Sequence, residues 1–205
     1  TIDHLVYATP DLENGIAEIE DLVGVSAMAG GRHPGLGTRN ALLGLGEGCY
    51  LEVIGPDPEQ ADFEGIRPFG LDKLSKGALV TWAARCQGLD QLLIKAKTQG
   101  IDLGRVIPMS RETPEGEHLK WALTFLANEN SKNVIPFFID WGTSPHPSVG
   151  CSEGARLIDL VLEHPDSDST RVALESLDLN VTVKSASQPG LRAMIDCPRG
   201  IVELN

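Results

Sequence analysis

The chain has 205 residues, of which 41% are hydrophobic and 22% are charged. This composition is typical of one folded domain, or of two small ones, and it excludes a disordered or collagen-like chain. The formal net charge of −12 disfavours nucleic acid as a partner, because an acidic surface repels phosphate. No apolar run reaches the ~20 residues that span a membrane, and the first residues lack the basic and apolar regions of a secretory signal. We therefore expect a cytoplasmic protein that binds neither nucleic acid nor membrane.

The first part of the chain predicts strands on either side of one helix. β-Branched and aromatic residues indicate the first strand, and hydrophobic residues at helical spacing indicate the helix. A glycine-rich stretch and two strands joined by a Gly-Glu-Gly turn follow. The predicted ranges are 2–9 for the first strand, 11–24 for the helix, 28–40 for the glycine-rich stretch, and 40–46 and 49–55 for the last strands. We interpret residues 1–55 as one βαβββ unit.

The same order of elements returns twice, after two connectors rich in proline and in charged or small residues. The middle unit has strands predicted over 77–86, 105–110, 118–127 and 133–141, with a helix over 89–100. The third unit has strands predicted over 156–164, 180–186, 191–197 and 200–205, with a helix over 169–179. We therefore predict a first domain, residues 1–148, that holds units 1–55 and 77–142, and a shorter third unit within 149–205.

The cysteines predict no structural zinc, since none belongs to a CxxC pair. Three of them lie in or beside apolar runs, which favours small buried thiols in a reducing compartment. The four residues are Cys49, Cys86, Cys151 and Cys197.

The repeat can be aligned residue by residue. Aligning the first strand with that of the third unit places His4 opposite Asp159, and the last strands place Glu52 opposite Glu203. The middle unit is more degenerate: Thr81 lies opposite His4, and no carboxylate lies opposite Glu52.

Two βαβββ units side by side are expected to form an α+β fold: a curled, barrel-like mixed sheet with its helices outside. Side chains alternate along a strand, so His4 and Glu52 can both point into the cleft of that sheet. A charge between Leu51 and Val53 is unusual unless it is paired or functional. A histidine and a glutamate in a cleft form half of a metal site, and Glu52 is also a candidate general base.

Two segments carry a resemblance to a known superfamily. The sequences IDHLVYATPDLENGI and CYLEVIG resemble the first and last strands of a unit in the vicinal oxygen chelate superfamily, which includes glyoxalase I and extradiol dioxygenases. The stretches GGRHPGLGTRNALLGLGEGCYLEVIG and LKWALTF…VIPFFIDWGTSPHP are similar to its glyoxalase-like domain branch. The resemblance covers roughly residues 1–148.

The resemblance implies a metal-dependent lyase, isomerase or dioxygenase that acts on a small metabolite with vicinal oxygens. The implied cofactor is a divalent ion (Mn, Fe, Ni, Zn or Mg) held by His4 and Glu52. The degenerate middle unit favours a second hypothesis, a metal-free protein of the same fold that binds or sequesters a small ligand. A third hypothesis is a structural subunit whose third unit serves dimerisation.

Which units pair is left open by the sequence, and the choice changes the ligand set. Pairing of neighbouring units one and two leaves the third sheet open for a second chain, which would give a homodimer. Pairing of units one and three instead brings Asp159 and Glu203 to His4 and Glu52, a hard ligand set. His146, in a Ser-Pro-His-Pro loop, is a further candidate nitrogen ligand.

Five residues are candidates for substrate binding. Arg32 offers a fork for a carboxylate or phosphate, and His33 and Asn40 lie close to it in the sequence. Trp121 and Trp141 are candidates for the apolar wall of the pocket.

Overall fold

The structure is a computed structural model that describes residues 1–46, 48–112, 116–125 and 134–205. In the first unit the elements are β1 (Ile2–Ala8), α1 (Leu12–Val23), β2 (Met28–His33), β3 (Thr38–Gly44) and β4 (Tyr50–Pro56). In the second they are β5 (Ala78–Arg85), α2 (Leu89–Thr98), β6 (Arg105–Glu112), β7 (His118–Phe125) and β8 (Phe137–Asp140). In the third they are β9 (Arg156–His164), α3 (Ser167–Ser176), β10 (Thr182–Ser185), β11 (Gly190–Cys197) and β12 (Gly200–Leu204).

Most predicted elements are present, with small shifts at their ends. Helix α1 begins after Asp11, whose side chain accepts a hydrogen bond from the Asn14 amide, and ends at Gly24 in the left-handed region with φ 76°. Glu47 of the predicted turn, residues 126 and 127 of the strand predicted over 118–127, and residue 133 of the next strand lie outside the described residues. No described helix is long and apolar enough to span a membrane.

The glycine-rich stretch, to which we assign no element from the sequence, contains strand β2 (Met28–His33) in its first half. A Cβ atom at Gly30 would clash with the side chain of Asn40 on β3, so glycine is needed where the two strands approach. Only the tight turn that follows needs glycine for its backbone, at Gly35 (φ 74°) and Gly37 (φ 64°).

The first two units share one eight-stranded mixed sheet, in the order β2-β3-β4-β1-β5-β8-β7-β6. Strands β1 and β5 join the units as an antiparallel pair. The sheet curls until its ends meet, and the Arg111 side chain on β6 donates a hydrogen bond to the Gly30 carbonyl on β2. The predicted α+β fold, a curled barrel-like sheet with helices outside, is confirmed.

The two faces of this sheet have different roles, because side chains alternate along each strand. The convex face belongs to the main hydrophobic core, in which Leu5, Leu51 and Trp82 are fully buried together with the inner faces of α1 and α2. The concave face carries His4, Val6 and Ala8 from β1 and encloses a cavity.

The third unit forms a separate four-stranded sheet, in the order β10-β9-β11-β12. Strand β9 pairs in parallel with β10, whereas β1 pairs in parallel with β4, the last strand of its unit. The third unit therefore repeats the element order of the first but not its strand order. The alternative in which units one and three form the cleft is wrong, and Asp159 and Glu203 lie in the second sheet. The homodimer stays a prediction.

The third unit nevertheless packs into the main core. Leu162 and Ile195 are fully buried in the same hydrophobic cluster as Leu5 and Trp82. The Leu157 amide also donates a hydrogen bond to the Leu45 carbonyl (3.0 Å), which ties β9 to the first unit.

We expect this shared core to make the third unit unfold together with the first two units. Ile195→Ala should lower the free energy of unfolding by about 2–5 kcal/mol, because it leaves a cavity at a fully buried site. The same change at Ile201, which is 66% exposed in the same sheet, should cost less than about 0.5 kcal/mol.

The measurement is denaturant unfolding followed by tryptophan fluorescence. All three tryptophans, Trp82, Trp121 and Trp141, lie outside the third unit, so they report on it only through the shared core. In Ile195→Ala, circular dichroism could show unfolding at a lower denaturant concentration while the fluorescence transition stays unchanged. That result would contradict a shared core.

Candidate functional site

The concave face of the eight-stranded sheet encloses a cavity of about 860 Å³. Most of its wall is apolar, and both Trp121 and Trp141 lie in it, where the sequence predicts them. A polar cluster interrupts the apolar wall. Its members are His4, His33, Asn40, Glu52 and Arg111.

His4 is held on both sides by its neighbours on the sheet. Its Nδ1 lies 2.7 Å from the Asp3 carboxylate, and its ring stacks on Tyr50 with centroids 4.6 Å apart. Phe137 packs edge-on against the ring at 5.5 Å. An ionised carboxylate can only accept hydrogen bonds, so Nδ1 carries the proton. His4 Nε2 faces the cavity, and in the neutral ring with this tautomer it carries the lone pair.

Asp3 is fully buried behind His4, and sequence reasoning missed it. Its carboxylate also lies 2.8 Å from Arg85 Nε, 3.1 Å from His146 Nε2 and 3.2 Å from Trp141 Nε1. Burial raises the pKa of Asp3, but hydrogen bonds from His146, His4 and Arg85 outweigh burial and hold this pKa well below its ordinary value of 3.8. Asp3 is therefore ionised and fixes the orientation of His4.

The Glu52 carboxylate faces the two histidines from β4. Its Oε2 lies 3.8 Å from His4 Nε2, and its Oε1 lies 3.9 Å from His33 Nε2. Asn40 Nδ2 donates a hydrogen bond to Oε1 at 2.5 Å. Glu52 is thus a buried carboxylate that the Asn40 amide helps to position.

His33 and Asn40 form the other side of the cluster. Asn40 Nδ2 lies 3.3 Å from His33 Nε2, so the amide group can donate one hydrogen to Glu52 and the other to His33. The His33 Nδ1 lies 3.0 Å from Thr38 Oγ1. Burial lowers the pKa of His33, which favours the neutral ring that this pattern requires.

Arg111, on β6, brings a positive charge to the cavity wall and was missed by sequence reasoning. Its side chain is 7% exposed. The signal was present, because Ile107, Met109 and Arg111 alternate along one strand and therefore share one face.

Two predicted residues do not face the cavity. The half-exposed Arg32 side chain forms ion pairs with Glu59 and, at 3.7 Å, with Asp57. Arg32 precedes His33 on a strand, so the two side chains point to opposite faces. His146 is wrong as a ligand beside Glu52, because its Nε2 turns to Asp3 and its Nδ1 lies 2.7 Å from Ser148 Oγ.

The two carboxylates of the rejected pairing have partners within the second sheet. Thr182 Oγ1 lies 3.3 Å from Asp159, and Arg192 Nη1 lies 3.5 Å from Glu203. These contacts leave them without a role in the cavity.

The residues present do not fit the divalent ion that the resemblance implies. Within the described ranges, no three His, Cys, Asp or Glu side chains are arranged to hold a metal ion. The Asn40 amide lies between Glu52 and His33 and is within hydrogen-bond distance of both. A cation bound there would need the same lone pairs of Glu52 and His33. In unit two, Thr81 and Phe137 line the cavity, and neither is a His, Cys, Asp or Glu that could complete a metal site.

The buried neutral His33 predicts a pH dependence of stability. The unfolded chain takes up a proton below the ordinary pKa of 6.5, and the folded protein resists doing so. The free energy of unfolding should therefore fall with pH below about 6.5, by up to about 1.4 kcal/mol per pH unit from this residue.

Chemical unfolding between about pH 7.5 and about pH 5 measures this effect. His33→Gln should flatten the pH dependence, whereas His118→Gln, at an exposed position on β7, should leave it unchanged. Equal slopes in wild type and His33→Gln would contradict a neutral buried ring.

Comparison with known proteins identifies the family. The glyoxalase-like domain family matches residues 2–177, which extends beyond the predicted boundary at 148 and reaches α3. No curated protein matches the chain in sequence.

One solved structure shows the same fold over most of the chain, and two others are similar to a smaller part of it. The crystal structure of a hypothetical protein from Staphylococcus aureus has a TM-score of 0.69 and 14% identity, covering 92% of this chain and 87% of that chain. Methylmalonyl-CoA epimerase from Mycobacterium tuberculosis has a TM-score of 0.47 and 19% identity, covering 69% of this chain and 87% of that chain. The Streptomyces coelicolor methylmalonyl-CoA epimerase in complex with 2-nitronate-propionyl-CoA has a TM-score of 0.49 and 19% identity. This match covers 72% of this chain and 98% of that chain. With a family match over most of its length, the chain belongs to the glyoxalase-like domain family.

Proposed function

We propose that this protein is an enzyme that moves a proton on a small oxygen-containing metabolite, with His4 and Glu52 as the transferring groups. One observation carries the proposal. His4 Nε2 and the Glu52 carboxylate lie 3.8 Å apart in the wall of the cavity, and Asp3 supports His4 from behind.

The Asp3–His4 pair supplies a base with a defined tautomer. Asp3 keeps the proton on Nδ1, so Nε2 can accept a proton from the substrate, and the carboxylate stabilises the imidazolium that forms. A histidine placed in this way contributes about 10²–10⁴-fold to a proton-transfer step.

The rest of the cluster suits a reaction next to a carbonyl group. When His4 takes a proton from the carbon beside a carbonyl, the electron pair moves to the carbonyl oxygen, and Arg111 offers a positive charge in the same wall. Glu52, 3.8 Å away, takes the proton from His4 and returns it to the substrate at its new position, which completes an isomerisation without another reactant. Burial of the cavity strengthens these electrostatic interactions.

The reaction can be tested by proton exchange in D₂O. Nuclear magnetic resonance would follow deuterium uptake by a panel of small 2-oxo acids, hydroxyketones and acyl thioesters. His4→Gln and Glu52→Gln should each lower the exchange rate about 100-fold or more, since neither amide can carry the proton. His118→Gln, at an exposed histidine, should exchange like wild type.

Two outcomes would contradict this assignment. Full exchange in both site variants would remove His4 and Glu52 from the chemistry. Ligand binding without any exchange across the panel would favour the metal-free binding protein that the degenerate middle unit suggests.

The metal expectation is tested by elemental analysis of protein dialysed against Mn²⁺, Ni²⁺ and Zn²⁺. Because the Asn40 amide already occupies Glu52 and His33, we expect less than one equivalent and no difference between wild type and His4→Gln. One equivalent in wild type that is lost in His4→Gln would restore the metal-dependent hypothesis and overturn the proposal.

A further inference from the structure

We propose that the substrate is an elongated amphiphile whose far end carries an anionic group, bound by Lys73 and Arg105 at the mouth of the cavity. This inference rests on the proposed function and names the substrate class for the same site.

The cavity is long, because it follows strand β6. Arg105, Ile107, Met109 and Arg111 all line it from alternating positions of that strand. Six residues at about 3.3 Å each separate Arg105 from Arg111 by about 20 Å. A molecule that reacts beside Arg111 and fills the cavity is therefore extended.

The exposed lining residues mark the mouth. Four residues of the cavity wall are exposed to solvent, namely Gly70, Lys73, Asp102 and Arg105. His4, His33, Asn40 and Glu52 are buried, as is Arg111, so the reacting groups lie away from the opening.

Strand register places the two mouth cations at the same end of the sheet. Lys73 lies just before β5, whose first residue, Ala78, pairs with the last residue of β1, Ala8. Arg105 begins β6 and pairs with Phe125, the last residue of β7. Because β8 runs parallel to β5 and antiparallel to β7, the two ends lie at the same edge of the sheet, with β8 and β7 between them.

The wall between the mouth and the reacting groups is apolar. Phe69 lies over the cavity with its ring 6.0 Å from that of Phe137, and Leu123 and Ile107 face them from β7 and β6. Leu191 of the third unit also lines the cavity. A hydrocarbon or aromatic body matches this stretch, since burying it removes apolar area from water on both sides.

Charge favours an anion at the mouth over the inner end. Glu52 offsets Arg111 at the inner end, whereas at the mouth the two cations outnumber one carboxylate, Asp102. Neither Lys73 nor Arg105 forms an ion pair with any carboxylate of the described residues.

Calorimetry with dodecanoate as the probe tests this inference, with dodecanol as the uncharged comparison. The double variant Lys73→Gln/Arg105→Gln should bind dodecanoate about tenfold more weakly than wild type and dodecanol equally well. Lys76→Gln removes the same charge at an exposed neighbour that does not line the cavity, and it should bind both as wild type does. Raised salt should weaken only dodecanoate.

Dodecanoate binding that is absent in wild type, or unchanged in the double variant, would overturn the inference. A loss in Arg111→Gln with none in the double variant would do the same, because it would place the anion at the inner end. Glu52→Gln separates this inference from the proposed function: it should lower proton exchange about 100-fold or more, and within that variant the loss of Lys73 and Arg105 should still weaken dodecanoate about tenfold.

Discussion

The candidate site depends on one buried ion, the carboxylate of Asp3. A carboxylate out of water costs several kcal/mol unless it is paired and hydrogen-bonded. Asp3 meets that need with His4 beside it on β1, Arg85 at the end of β5, Trp141 just after β8 and His146 in the connector that follows. The contacts that stabilise the ion therefore also join the two units and orient the ring that faces the cavity.

The first two units contribute different kinds of side chain to the cavity, although they share one topology. Unit one contributes His4, His33, Asn40 and Glu52, which are the polar groups able to move or hold a proton. Unit two contributes most of the apolar wall and one buried positive charge, Arg111. In the proposed function, the degenerate middle unit shapes the cavity, and the first unit supplies the groups that transfer the proton.

Strand periodicity placed His4 and Glu52 on the face that lines the cavity, because alternation fixes which side chains share a face. The same rule would have separated Arg32 from His33 if the glycine-rich stretch had been recognised as a strand. Asp3 was missed because a carboxylate in a strand is usually a surface residue. The partners that bury Asp3 are distant in the chain, so the sequence does not reveal them. The strand order of the third unit was not predictable either, since similar apolar patterns fit β10 or β12 beside β9.

The most direct test of the central claim is the tautomer of His4, read by nitrogen-15 magnetic resonance in wild type and in Asp3→Asn. The account predicts a neutral His4 ring with its proton on Nδ1 in wild type, and a change of tautomer or of Nδ1 shift when the ionised carboxylate is replaced. The resonances of His33, which bonds to Thr38 and Asn40, serve as the internal control and should not change. A wild-type His4 protonated on Nε2, or a tautomer that is indifferent to Asp3→Asn, would contradict the account.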